Sequence, residues 1–285
     1  PDLYGISSLT AVFWCVASFF VNFADDGMDV ISGLTQEDCE NNAKIILKER
    51  MEWFDAAGLS INLEKTEFMG IGFTPKPITI DGLTINAKSS LKFLGLTLQS
   101  DLGWDSTVED MCNRIRRSAY KIRTEGRLFD IWDRKILFGG WIMGSLYANA
   151  IAYLPLLTVT QRQKMQVAMN AGVRAVVNMP RYGQANLSSI REKLKIPSID
   201  QITEKVILSA SWKNRFQYRS QKNDMSGPKT RARSKGNIPQ PKQTGFHGKM
   251  ISTALVSGWN RLPLAIKDEE DAQKAKQLIK KFAFS

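Results

Sequence analysis

Asp25 and Asp26 are adjacent carboxylates flanked by two short apolar runs, residues 16–23 and 28–32. β-Branched and aromatic residues on both sides of an Asp-Asp-Gly cluster predict a β-hairpin with the acids at its tip. Such a tip offers oxygen ligands to a hard divalent cation such as Mg2+. Asp-Asp-Gly is also ordinary turn chemistry, so the dipeptide alone does not separate a metal site from a turn. A calcium loop is excluded, because the alternating acids and closing glutamate are missing. Cys15, Cys39 and Cys112 fit no zinc spacing, and His247 is the one histidine. A zinc finger or knuckle is therefore excluded. A histidine-assisted nucleophile would have to use His247, which stands in a polar, basic stretch.

The elements that would position these acids follow from periodicity. Thr35, with Asp38 three residues on, predicts a capped helix. Ala43, Ile46, Leu47, Met51 and Phe54 are its buried stripe, and Gly58 its end. Residues 59–63 and 67–73 read as a strand, a turn and a second strand. Asp81-Gly82 predicts a tight hairpin joining 78–80 to 83–85. Residues 93–98 read as one more strand. Past Trp104 the period becomes helical. Val108, Met111, Cys112, Ile115, Ala119 and Ile122 fall on one face, with Arg114, Arg116, Arg117 and Lys121 off it. Further helices are expected over 130–153, over 160–177 with Thr160 as cap, and over 187–194 and 199–216. Residues 220–245 read as a basic flexible linker. A last helix runs to about residue 282. The expected class is α+β: a mixed region over 1–100, helices over 101–219, the linker over 220–245, and a helical segment over 246–285.

Charge is unevenly distributed. Residues 161–250 hold 18 Lys and Arg against 4 Asp and Glu, a net of +14, whereas residues 1–160 hold 15 against 20, a net of −5. A basic block of this kind suits a polyanion, foremost the phosphates of nucleic acid, although a solvated basic surface has the same composition. Residues 9–21 form an apolar run of about 13, short of the roughly 20 that span a bilayer, so no membrane association is expected. No cation precedes the run and two acids follow it. A buried element therefore fits better than a signal peptide, the feature of a secreted protein. Three unpaired-looking cysteines suit a reducing compartment, nuclear or cytoplasmic.

Phe23-Ala24-Asp25-Asp26 resembles motif C of reverse transcriptases. Trp53, Gly58-Leu59-Ser60-Ile61-Asn62 and Lys65-Thr66-Glu67 resemble motif D, and Leu91-Lys92-Phe93-Leu94-Gly95 resembles motif E, the primer grip. The three occur in the right order over about 75 residues. Beyond them, the helix from residue 105 resembles the thumb of the non-LTR retrotransposon enzymes. Gln163 to Val177, Leu194-Lys195-Ile196-Pro197 and Trp259-Asn260-Arg261-Leu262-Pro263 resemble the regions that follow it.

The resemblance implies a partial polymerase palm, then a helical thumb and a C-terminal helical region. It implies RNA-directed DNA synthesis by two-metal nucleotidyl transfer, with an RNA template, a DNA primer and deoxynucleotides as partners. Asp25 and Asp26 would hold Mg2+, and Lys65 would protonate the pyrophosphate leaving group. Phe93, Leu94 and Gly95 would hold the primer, and Arg114, Arg116, Arg117 and Lys121 the duplex phosphates. The pattern departs upstream. The third carboxylate of motif A, motif B and the fingers have no counterpart in residues 1–20. The chain, which begins at Pro1, therefore reads as a fragment lacking the N-terminal fingers and palm half, inactive alone. A non-catalytic nucleic-acid-binding remnant is the alternative.

Overall fold

The computed structural model describes residues 18–23, 26–59, 61–62, 65–80, 82–180, 185–223, 235–240 and 250–284. The expectations for residues 1–17, Asp25, His247 and most of the basic stretch lie outside the described residues, as does the side chain of Asp26. The chain is mixed α and β and forms two compact units, Pro1–Ser106 and Thr107–Ser285.

In the first unit, β1 (Ser18–Phe23) and β2 (Asp26–Ile31) pair antiparallel, from Ser18 opposite Ile31 to Phe23 opposite Asp26. Helix α1 (Gln36–Ala56) starts on the expected capping box. The Asp38 amide donates to Thr35 Oγ1 and the Thr35 amide to Asp38 Oδ2. This satisfies two of the amides that a helix start leaves free. β3 (Ile78–Ile80) and β4 (Leu83–Ile85) form the expected hairpin, with Gly82 at φ +79°. Ile46 of α1 is buried, and α1 packs on β3, whose Ile78 is also buried.

Two expectations fail here. The single strand over 93–98 is a hairpin, β5 (Ser90–Phe93) with β6 (Leu96–Gln99). Leu94 and Gly95 turn between them at φ +47° and +81°. Leucine is a poor left-handed residue, so the turn carries no signature in the sequence. The strand–turn–strand over 59–73 is irregular loop among its described residues. Its one bridge joins Phe68 to Ala87, in parallel sense. Gly72 at φ +82° and the tight packing around Gly70, where a Cβ would meet Phe73 O at 2.6 Å, suit a loop better than a ladder.

The second unit is helical. α2 (Asp105–Glu125) buries all six residues of its expected stripe. The long helix expected over 130–153 is broken. α3 (Ile131–Phe138) passes through a π-turn (Gly139–Met143) into α4 (Gly144–Tyr147), then bends at Asn149, φ +55°, into α5 (Ala150–Tyr153). Asparagine tolerates this conformation, which ends the helical run without a glycine or proline. α6 (Val159–Val176) is capped by Thr158 rather than Thr160, because Gln161 completes the reciprocal box with Thr158. α7 (Leu187–Leu194) is as expected. The helix over 199–216 divides at Asn214 into α8 (Ile199–Lys213) and α9 (Arg215–Asn223). α10 (Ile251–Arg261), α11 (Leu264–Lys267) and α12 (Ala272–Phe284) complete the unit.

The basic stretch is not a uniform linker. Residues 235–240 are fastened into the C-terminal core, where Ile238 is buried among Leu208, Trp212, Trp259 and Leu262. Asn260 grips Ile238 from both sides. The Ile238 amide donates to Asn260 Oδ1, and Asn260 Nδ2 donates to Ile238 O, each at 2.9 Å. Trp259 Nε1 donates to Gly236 O, and the buried Lys267 ammonium donates to Lys235 O and Asn237 Oδ1. Neutral acceptors thus solvate a charge that would otherwise be costly to bury. Among the described residues no single helix is long and apolar enough to cross a membrane; one bent pair, Ile131–Tyr147 with Ala150–Leu156, meets that test by length and composition only.

Candidate nucleic-acid interface and hairpin site

The ladder of the first hairpin runs as far as the pair Phe23–Asp26. What fixes that hairpin is α1. Asp29, opposite Phe20 in the ladder, receives a forked pair of hydrogen bonds from Arg50, Nη2 to Oδ1 at 3.0 Å and Nε to Oδ2 at 3.3 Å. The same guanidinium lies 4.1 Å from the centre of the Phe20 ring. A planar fork on a carboxylate with an aromatic beneath it has one orientation, so it sets the angle of the strand pair on the helix. Gly27 leaves space for that ring, since a Cβ there would stand 3.0 Å from Phe20 Cε2 and Cζ. Asn42 Nδ2 adds a bond to Ser32 O just past β2. Neither Arg50 nor Asp29 stood out in the sequence. A hairpin acid three residues beyond the Asp pair, with an arginine on the next helix, is the signal that could have found them. The Asp29 carboxylate is thus engaged by Arg50, and the pair ties β2 to α1.

The other end of α1 is tied to the loop before β3. Glu40 accepts from Gln36 Nε2 and from the Lys76 amide, each at 2.9 Å, and these bonds hold its carboxyl below the usual range. Lys65 is exposed on a turn built by Asn62, which accepts the Lys65 amide on both O and Oδ1 and the Thr66 hydroxyl on O. Phe93 and Gly95 flank Leu94, and Leu94 projects from the tip of β5–β6 partly exposed. Among the described residues no group of three or more His, Cys, Asp or Glu side chains is placed to hold a metal. The candidacy of Asp25 and Asp26 as Mg2+ ligands therefore stands on their sequence and on the hairpin register.

On the helical unit, Arg114, Arg116, Arg117 and Lys121 are all exposed, as the stripe predicts. They do not act alike. Arg114, Arg117 and Lys121 line a shallow cleft of about 440 Å³ together with Gly140, Trp141 and Ser145. Arg116 turns away to Glu109 at 3.4 Å and to Asn113 at 3.1 Å. The spacing explains the split: 114, 117 and 121 repeat at i, i+3 and i+7 along one helix face, and 116 lies off that line. The opposite wall of the cleft comes from the π-turn. Gly139 and Gly140 are exposed, and a Cβ on either would meet nothing within 4 Å. A cation row facing a bare backbone and a half-buried indole suits a phosphate chain with an adjacent base. Sequence reasoning missed Trp141, whose signal is a Gly-Gly-Trp interruption in an otherwise aliphatic helix. Comparison of the chain with family models, curated proteins and solved structures finds no match.

Proposed function

We propose that the chain is the part of a non-LTR-retrotransposon-type reverse transcriptase that runs from motif C through the thumb. The reading is supported above all by two antiparallel strand pairs in one unit, one whose ladder closes at Phe23–Asp26 and one that turns at Leu94-Gly95. They coincide with the residues that resemble motif C and the primer grip. A cation row on the next helix is where the resemblance expects template–primer phosphates. Asp25 and Asp26 would hold Mg2+, which when bound supplies charge stabilisation for nucleotidyl transfer. Lys65 would donate a proton to the pyrophosphate, and the Leu94 turn would support the primer. The partners are an RNA template, a DNA primer and deoxynucleotides, inside the nucleus or cytoplasm. A motif A carboxylate must come from an N-terminal palm half. Apolar exposure in the first unit accords with such a partner: Phe19 and Val30, opposite each other in the ladder, are 67% and 47% exposed.

The test is primer extension on an RNA template with a palm half bearing motif A supplied alongside the chain. Synthesis is expected with Asp25 and is expected to vanish in Asp25→Ala. Undiminished synthesis by that variant overturns the site. A second reading, a nucleic-acid-binding remnant without catalysis, rests on the cation row of α2 alone. It expects salt-sensitive binding and no extension under any supplementation.

A further inference from the structure

A second cleft, of about 220 Å³, lies on the other side of the π-turn. Four lysines line it, each from a different part of the chain: Lys135 of α3, Lys195 just past α7, Lys205 of α8 and Lys280 of α12. Among the described residues no acidic side chain lines it. None of the four lysines forms an ion pair with a described residue. Aromatic rings hold two of the side chains in place. Lys205 Nζ donates to Tyr147 Oη at 3.2 Å and lies 4.7 Å from that ring's centre and 5.9 Å from that of Phe284. Lys135 Nζ lies 5.2 Å from the Trp132 ring. Lysines spread over a solvated surface diverge into water. Here residues 145 positions apart converge on one concavity, where their mutual repulsion favours an anion with several charges.

The two clefts share a wall. Gly140 and Trp141 face the α2 row, whereas Gly139, Met143 and Tyr147 face the lysine cluster. Both glycines leave the ridge between them without side-chain cover. We propose that the lysine cluster is a second phosphate-binding site, and that one polynucleotide strand crosses the Gly139–Gly140 ridge from the α2 row into it. The seven helical steps from Arg114 to Lys121 cover about 10 Å at a helical rise of about 1.5 Å per residue. That row serves only about three stacked nucleotides at roughly 3.4 Å each. Further phosphates run on to the lysines. The inference rests on the helical unit binding nucleic acid, not on synthesis.

Fluorescence anisotropy of the full chain with a labelled single-stranded oligonucleotide of about 15 residues, over a range of salt, tests it. Each phosphate contact adds about 0.7 to the log–log salt slope for single strands and about 0.9 for duplex. The variant K135Q/K195Q/K205Q/K280Q is expected to lower the single-strand slope by about 2–3 and to weaken low-salt binding at least about tenfold. The corresponding Lys→Arg variant keeps the wild-type slope, which separates charge from packing. A parallel duplex of equal length shows which form fills the cleft, because the drop scales with the larger coefficient. An unchanged slope in the Gln variant, with binding intact, overturns this inference and leaves the proposed polymerase reading standing. Equal loss in the Arg variant overturns it too. So does four-lysine-dependent binding to phosphatidylserine vesicles without binding to the oligonucleotide. Failure of primer extension, by contrast, leaves the slope result untouched.

Discussion

Among its described residues the first unit buries few apolar side chains, Ile46, Pro75, Ile78 and Ile85, whereas the helical unit buries whole faces of α2, α6 and α8. The first unit is held largely by polar ties: Arg50 to Asp29, Glu40 to Gln36 and Lys76, Lys88 to Glu67, and the Thr35 box. The helical unit uses close packing. At Gly172 a Cβ would stand 2.5 Å from Ile142 Cδ1, and at Gly258 the same distance from Ile207 Cγ2. Polar ties are directional but individually weak, while packed cores are strong and fix geometry over whole faces. A unit that aims a hairpin tip gains from the first, and one that presents a rigid charged face gains from the second.

Substitutions can break this contrast, and hydrogen exchange read separately over each unit is the measurement. The largest effect is expected from Trp259→Ala. It removes a buried indole, its bond to Gly236 O and the seat of Ile238, and should cost about 3–5 kcal/mol in the helical unit alone. Equal loss of protection over 18–106 would show that the units are not separately stabilised. Arg50→Ala should cost about 1–2 kcal/mol, confined to the first unit, since the pair is partly exposed. It should also lower primer extension in the supplemented assay, and Arg50→Lys should rescue stability better than synthesis because it lacks the fork. The smallest effect has the opposite sign. Leu94→Asn relieves a left-handed leucine and should stabilise the β5–β6 hairpin by about 1 kcal/mol. If Leu94 supports a primer, that gain comes with weaker primer binding; unchanged binding would remove it from the site.

Much of this architecture was legible because local rules dominate it. The α2 stripe, the Thr35 box and the Asp81-Gly82 turn each depend on residues within one or two turns of each other. What was illegible depends on residues far apart or on tolerated exceptions. Leu94 hides a turn because leucine seldom makes one. Asn149 ends a helix with no sequence punctuation stronger than one amide. Arg50 and Asp29 meet across 21 residues, and the lysine cluster gathers positions between 135 and 280. The legible part of the site is the Asp pair and its motif spacing. The Arg50–Asp29 tie beside that candidate site became visible only when the strands and α1 were placed together.

The grip of Asn260 on Ile238 also decides where this protein tolerates added length. An amide side chain that both donates to and accepts from one residue fixes that residue's register but reads nothing of the chain on either side. One residue inserted between Gly236 and Ile238 separates the partners of Trp259 and Asn260 and releases both. The short span from Gly236 to Ile238 is thus an intolerant point for insertion, whatever the basic composition around it suggests.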